Sequence, residues 1–87
     1  MFEREMEVSA EVGLHARPAA QFAEIAKSAG FSVAVGRDTS AMVNAASPLR
    51  LLTLKIKQGE RILVRCETQD EEAAALVFAK LQSCIAD

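Results

Sequence analysis

Tryptophan and tyrosine are absent from this 87-residue chain, and its only aromatic residues are four phenylalanines. Ten Lys and Arg stand against twelve Asp and Glu, for a net charge of -2, so there is no basic excess either. A nucleic-acid surface combines a basic stripe with aromatic stacking platforms, and this composition supplies neither. No apolar run approaches the length of a membrane span, and the start Met1-Phe2-Glu3-Arg4-Glu5 lacks the basic and apolar regions of a signal peptide. A cytoplasmic location is expected, without membrane insertion.

There are two cysteines, Cys66 and Cys84, and one histidine. Without a Cys-x-x-Cys pair or a Cys/His cluster, neither a redox motif nor a zinc site has its ligands. Both cysteines fall on apolar periods and read as small core residues. No metal or cofactor is expected. At this length one small domain, residues 1–87, buries roughly 60 to 65% of the surface its unfolded form exposes.

The hydrophobic period changes along the chain. Met6 and Val8 alternate with Glu5, Glu7 and Ser9, the pattern of a half-buried strand. From Ala16 to Ala29 a helical wheel gathers Pro18, Phe22, Ile25, Ala26 and Ala29, with Arg17, Gln21, Glu24 and Ser28 opposite, and Gly30 suits the helix end. Phe31, Val33 and Val35 alternate again. The turn residues from Gly36 to Ser40 then predict a hairpin into a short strand around Ala41 to Val43. Ser47-Pro48 marks a second helix, with Ser as N-cap and Pro at the first helical position. After Gln58-Gly59 comes a strand carrying Ile62, Val64 and Cys66 on one face. A last helix is expected over Thr68 to Ala86, with Asp70, Glu71 and Glu72 at its positive end and a stripe of Ala73, Val77, Leu81, Cys84 and Ile85.

The order strand, helix, strand, strand, helix, strand, helix contains too few parallel crossovers for a doubly wound sheet. The period-two strands favour an α+β fold, an antiparallel sheet with helices on one face.

The lone histidine, His15, lies in Gly13-Leu14-His15-Ala16-Arg17-Pro18, where the strand pattern gives way to the helical one. A helix start offers unpaired backbone N–H groups and positive potential, and Arg17 adds a cation with a planar donor fork. Pro18 suits a first turn, and no Asp or Glu occurs between Val12 and Ala23 to repel an anion. Taken alone, a histidine at a helix start is an ordinary polar cap; beside Arg17 it suits a phosphoryl acceptor. The free imidazole is then expected to titrate below about 6.5, because both the helix terminus and Arg17 oppose its positive charge. A hydrolase using His15 as general base would need a carboxylate orienter and an adjacent Ser or Cys, and neither is near.

The run from Gly13 to Ala20 resembles the active-site segment of the histidine-containing phosphocarrier (HPr) family of the phosphoenolpyruvate-dependent sugar phosphotransferase system. The likeness continues through Val43-Asn44-Ala45-Ala46-Ser47, Leu51-Leu52-Thr53-Leu54, Gln58-Gly59-Glu60 and Asp70-Glu71-Glu72. It implies an open-faced β-sandwich, a four-stranded antiparallel sheet covered on one face by three helices. It further implies a non-enzymatic, monomeric carrier that takes a phosphoryl group on Nδ1 of His15 from phosphorylated enzyme I and passes it to histidines of sugar-specific enzyme II A components. The backbone of Ala16 and Arg17 would bind the phosphate. The nitrogen-related regulatory branch of the system would use the same chemistry, and a purely regulatory binding module would need neither His15 nor Arg17.

Ser47 resembles a serine that a dedicated kinase phosphorylates in some members of the family, although its position reads first as an N-cap. The second helix carries an apolar surplus: Leu51 and Leu54 point one way, Leu49 and Leu52 nearly the other, so one pair is expected at the surface. The resemblance places that face beside His15 as a docking surface formed by Ala20, Lys27, Leu49, Arg50, Leu52 and Thr53, for an acidic-rimmed partner. Ala46, Pro48 and Lys55 depart from common family patterns, Lys55 standing where glycine is usual.

Overall fold

In a computed structural model, which describes residues 1–10, 13, 14 and 16–86, the chain forms four strands and three helices. In chain order these are β1 (Phe2–Glu7), α1 (Ala16–Lys27), β2 (Val33–Gly36), β3 (Val43–Asn44), α2 (Pro48–Thr53), β4 (Arg61–Cys66) and α3 (Glu71–Ile85). The sheet order is β1-β4-β2-β3, and every neighbouring pair is antiparallel. The helices α1, α2 and α3 cover one face. This is the α+β open-faced sandwich.

Strand alternation decides which side chains meet the helices. Met6, Val33, Val35, Ile62, Val64 and Cys66 are buried on the inner face. On the outer face Arg65 lies opposite Glu3, with Nε 2.7 Å from Oε2, and Arg61 reaches Glu5 diagonally at 2.8 Å. Cross-strand ion pairs this exposed to water contribute little, so burial under the helices dominates stability. Arg4 faces the helix layer at the sheet edge, its guanidinium 4.7 Å from the Phe78 ring centre. Val8 extends the pairing beyond β1: its N–H donates to Glu60 O at 2.9 Å, and its carbonyl accepts from Gly59 N–H at 2.7 Å.

The helical faces differ from expectation in one systematic way. On α1 the buried residues are Ala19, Phe22, Ala23 and Ala26, whereas Pro18 and Ile25, and Ala29 just past its end, are only half-buried. On α3 the buried stripe is Ala74, Val77, Phe78, Leu81 and Ile85, with Ala73 and Cys84 half-buried. The predicted sectors mix that sheet-facing stripe with the flank along which α1 and α3 face each other, a groove lined by Ile25, Ala29, Ala73 and Cys84. Cys84 is therefore a flank residue rather than a core one, and its thiol donates to Pro18 O at 3.3 Å. The helix ends are also tighter than predicted. α1 stops at Lys27, α3 starts after the N-cap Asp70, whose carboxylate accepts from Ala73 N–H at 3.1 Å, and β3 falls at Val43–Asn44.

Candidate functional site

α1 begins at Ala16 and carries Arg17 in its first turn, with no acidic residue there. Arg17 is exposed and, among the described residues, has no ion-pair partner. The first N–H groups of an α-helix have no intrahelical carbonyl, so the backbone at Ala16 and Arg17 belongs to the donor-rich positive end. His15, and the side chain of Ala16, lie outside the described residues. Gly13 and Leu14 stand immediately before His15. Gly13 has φ +68°, and its N–H donates to Ala10 O at 2.9 Å. A Cβ at Gly13 would stand 2.6 Å from Ile56 O, closer than real side chains come to a carbonyl. Leu14 is buried, and its N–H donates to that same Ile56 oxygen at 3.1 Å.

α2 packs beside α1. Ser47 caps it with extended backbone, φ -106° and ψ 108°, its Oγ accepting from Arg50 N–H at 3.3 Å, and Pro48 opens the first turn. Leu51 is fully buried and Leu54 half-buried against the core, while Leu49 is 74% and Leu52 37% exposed. Arg50 and Thr53 are exposed with them, Thr53 Oγ1 donating to Arg50 O at 2.6 Å. On α1, Gln21, Glu24 and Ile25 line the groove toward α3. At about 100° per residue, Ala20 and Lys27 are turned away from Ile25 on that helix. Both are exposed.

Three features of this region escape sequence reasoning. Lys55, noted only as an unusual residue, has φ +53°, the left-handed conformation that glycine adopts most easily, and it follows the α2 C-cap Leu54. Arg37, read as part of a turn, donates from Nη1 to Leu54 O at 2.8 Å and from Nη2 to Lys55 O at 3.3 Å. Arg37 also grips Glu60 with two parallel bonds, Nε to Oε1 at 3.0 Å and Nη2 to Oε2 at 3.1 Å. Glu60 Oε2 in turn accepts Lys57 N–H at 2.6 Å. The Arg37 guanidinium, followed by the Lys57 amide, holds the Glu60 carboxyl below its ordinary range. No local spacing links residue 37 to residues 54, 55 and 60, so only the fold reveals the clamp.

Neither thiol is activated: burial pushes the pKa of both Cys66 and Cys84 upward. Among the described residues no three His, Cys, Asp or Glu side chains are grouped to hold a metal ion, and no helix is long and apolar enough to cross a membrane.

The family model described as the PTS HPr component phosphorylation site matches residues 2–85. The phosphocarrier protein HPr of Streptomyces coelicolor is 40% identical over 81 residues, which span 93% of this chain and 87% of that protein. The Haloferax volcanii phosphocarrier protein HPr is 41% identical over 73 residues, 83% of this chain and 82% of the relative. The crystal structure of HPr-C-His from Thermoanaerobacter tengcongensis superposes with a TM-score of 0.82 at 30% identity, covering 98% of this chain and 96% of that one. The chain therefore belongs to the HPr family, the phosphocarriers of the phosphotransferase system.

Proposed function

We propose that His15 is the phosphoryl acceptor of this phosphocarrier and that Arg17, with the backbone N–H groups of Ala16 and Arg17, stabilises the group in transit. The observation that carries the reading is Arg17 itself: an exposed guanidinium in the first turn of α1, without an acidic neighbour in that turn, two residues from the only histidine of the chain. Phosphoryl transfer demands positioning and charge stabilisation more than covalent machinery, because charge spreads over the equatorial oxygens in the transition state. Nδ1 of His15 attacks phosphorus as the P–N bond to the donor histidine of enzyme I breaks. In the second transfer an enzyme II A histidine attacks and His15 leaves. The carrier is stoichiometric, acts in the cytoplasm and turns over nothing of its own.

The docking surface is the patch of Ala20, Lys27, Leu49, Arg50, Leu52 and Thr53, which suits a partner with an apolar centre and an acidic rim. Exposure of Leu49 and Leu52 beside exposed cations supports this reading. Ser47 is a structural N-cap first, since its Oγ is engaged at Arg50 N–H. A serine kinase acting there would add negative charge to the docking face.

The test is a relay. The chain is charged by enzyme I and phosphoenolpyruvate, repurified, and mixed with an A component from the sugar system or from the nitrogen branch. Transfer to the sugar component supports the reading, transfer to the nitrogen component alone assigns the other branch, and transfer to neither contradicts a carrier role.

A further inference from the structure

We propose that Arg37 and Glu60 are positioning residues for His15, acting through the Ile56–Lys57 peptide; the proposal rests on His15 being the acceptor. A peptide unit is rigid and planar, with its C=O and N–H pointing in opposite directions. In this unit both ends are engaged. The Ile56 oxygen accepts Leu14 N–H at 3.1 Å, immediately before His15, and the Lys57 N–H donates to Glu60 Oε2 at 2.6 Å. Whatever sets the orientation of the N–H sets the carbonyl, and with it the hydrogen bond that holds Leu14, the residue before His15.

The Ile56 side chain is buried and anchors the loop, but a side-chain anchor leaves rotation of the peptide plane free. Glu60 removes that freedom. Glu60 is itself held by two hydrogen bonds donated by the Arg37 guanidinium. The same guanidinium takes Leu54 O and Lys55 O, so the end of α2 and the loop that supports Leu14 are held by one cation. That hold matters because α2 has only six residues and leaves through a lysine at positive φ, a conformation the chain does not adopt without support. Arg37 and Glu60 touch no reacting atom; their influence travels through one backbone carbonyl.

The test compares Arg37→Ala, Arg37→Lys and Glu60→Gln with the unaltered chain, reading Leu14 amide exchange and the transfer rate from phosphorylated enzyme I. Arg37→Ala and Glu60→Gln are expected to speed Leu14 exchange about tenfold and to lower the rate at saturating donor about three- to tenfold; KM stays within about twofold in Glu60→Gln, which keeps the Arg37 bonds to Leu54 O and Lys55 O, and rises in Arg37→Ala, which frees the end of the docking helix. Arg37→Lys, which keeps the charge but offers its donors from a single nitrogen, recovers part of both effects. Glu60→Gln preserves size but removes the charge and turns one of the two acceptor oxygens into an NH2 donor, so the three bonds that Glu60 accepts from Arg37 and Lys57 can no longer all form, and the relay is tested even where Arg37→Ala folds poorly. Unchanged Leu14 exchange and transfer rate in Glu60→Gln would overturn the proposal, leaving Arg37 as a helix cap. Should the unaltered chain accept no phosphoryl group, the His15 reading itself fails, while the Leu14 exchange still reports separately whether the relay exists.

Discussion

Gly13 and Ile56 meet with no room between them: a Cβ on residue 13 would fall 2.6 Å from the Ile56 carbonyl oxygen, which already accepts the Leu14 N–H. The backbone there also has φ +68°, so a side chain adds strain as well as a clash. Gly13→Ala is expected to cost about 1 to 3 kcal/mol and to slow phosphoryl transfer, because either Leu14 or the 56–58 loop must move. Thermal unfolding and transfer kinetics measure both; an alanine variant with unaltered stability and rate would show that this contact positions nothing.

Lys55 offers the converse substitution. It is exposed at φ +53°, with no ion-pair partner among the described residues. Lys55→Gly relieves left-handed strain of about 1 to 2 kcal/mol and gives back part of it through the freer unfolded chain. A net gain of about 0.5 to 1 kcal/mol follows, read as a rise in melting temperature. A fall would mean that the lysine side chain stabilises the loop.

The two leucine pairs of α2 separate stability from docking. Leu51→Ala, at a fully buried site, is expected to cost about 2 to 5 kcal/mol. Leu49→Ala, at a site 74% exposed, should stay within about 0.5 kcal/mol of the parent yet raise KM for phosphorylated enzyme I. Urea unfolding and transfer kinetics give the two numbers. Were Leu49→Ala to leave KM unchanged, the exposed leucines would be ordinary surface residues.

Acid should release the Glu60 clamp. Because Arg37 and the Lys57 amide depress the folded pKa of Glu60, its contribution is present above the unfolded value and is lost as pH falls through the folded one. The melting temperatures of the unaltered chain and Glu60→Gln should therefore differ most near neutral pH and converge in acid. A difference constant across that range would assign the effect to packing rather than charge.

Local pattern made much of this fold legible. Alternation located β4 and its inward Ile62, Val64 and Cys66, Ser47-Pro48 marked the start of α2, and the opposed leucines separated into an inward pair, Leu51 buried and Leu54 half-buried, and an exposed pair, Leu49 and Leu52. What stayed hidden depends on how elements meet. A wheel cannot tell the stripe that α1 presents to the sheet from the flank it presents to α3, so Ile25 and Cys84 looked more buried than they are. For the site, the Gly13-to-Pro18 run carried its own chemistry, whereas the support behind it was invisible. Arg37 and Glu60 are 23 residues apart and converge only after β2 and β4 pair.

The central claim is that His15 carries the phosphoryl group, and intact-mass measurement of the chain after incubation with enzyme I and phosphoenolpyruvate tests it most directly. At neutral pH the unaltered chain should gain one phosphoryl group that is lost on acidification, as a phosphoramidate is, and His15→Ala should gain none. Equal labelling of His15→Ala, or an adduct stable in acid, would contradict the account.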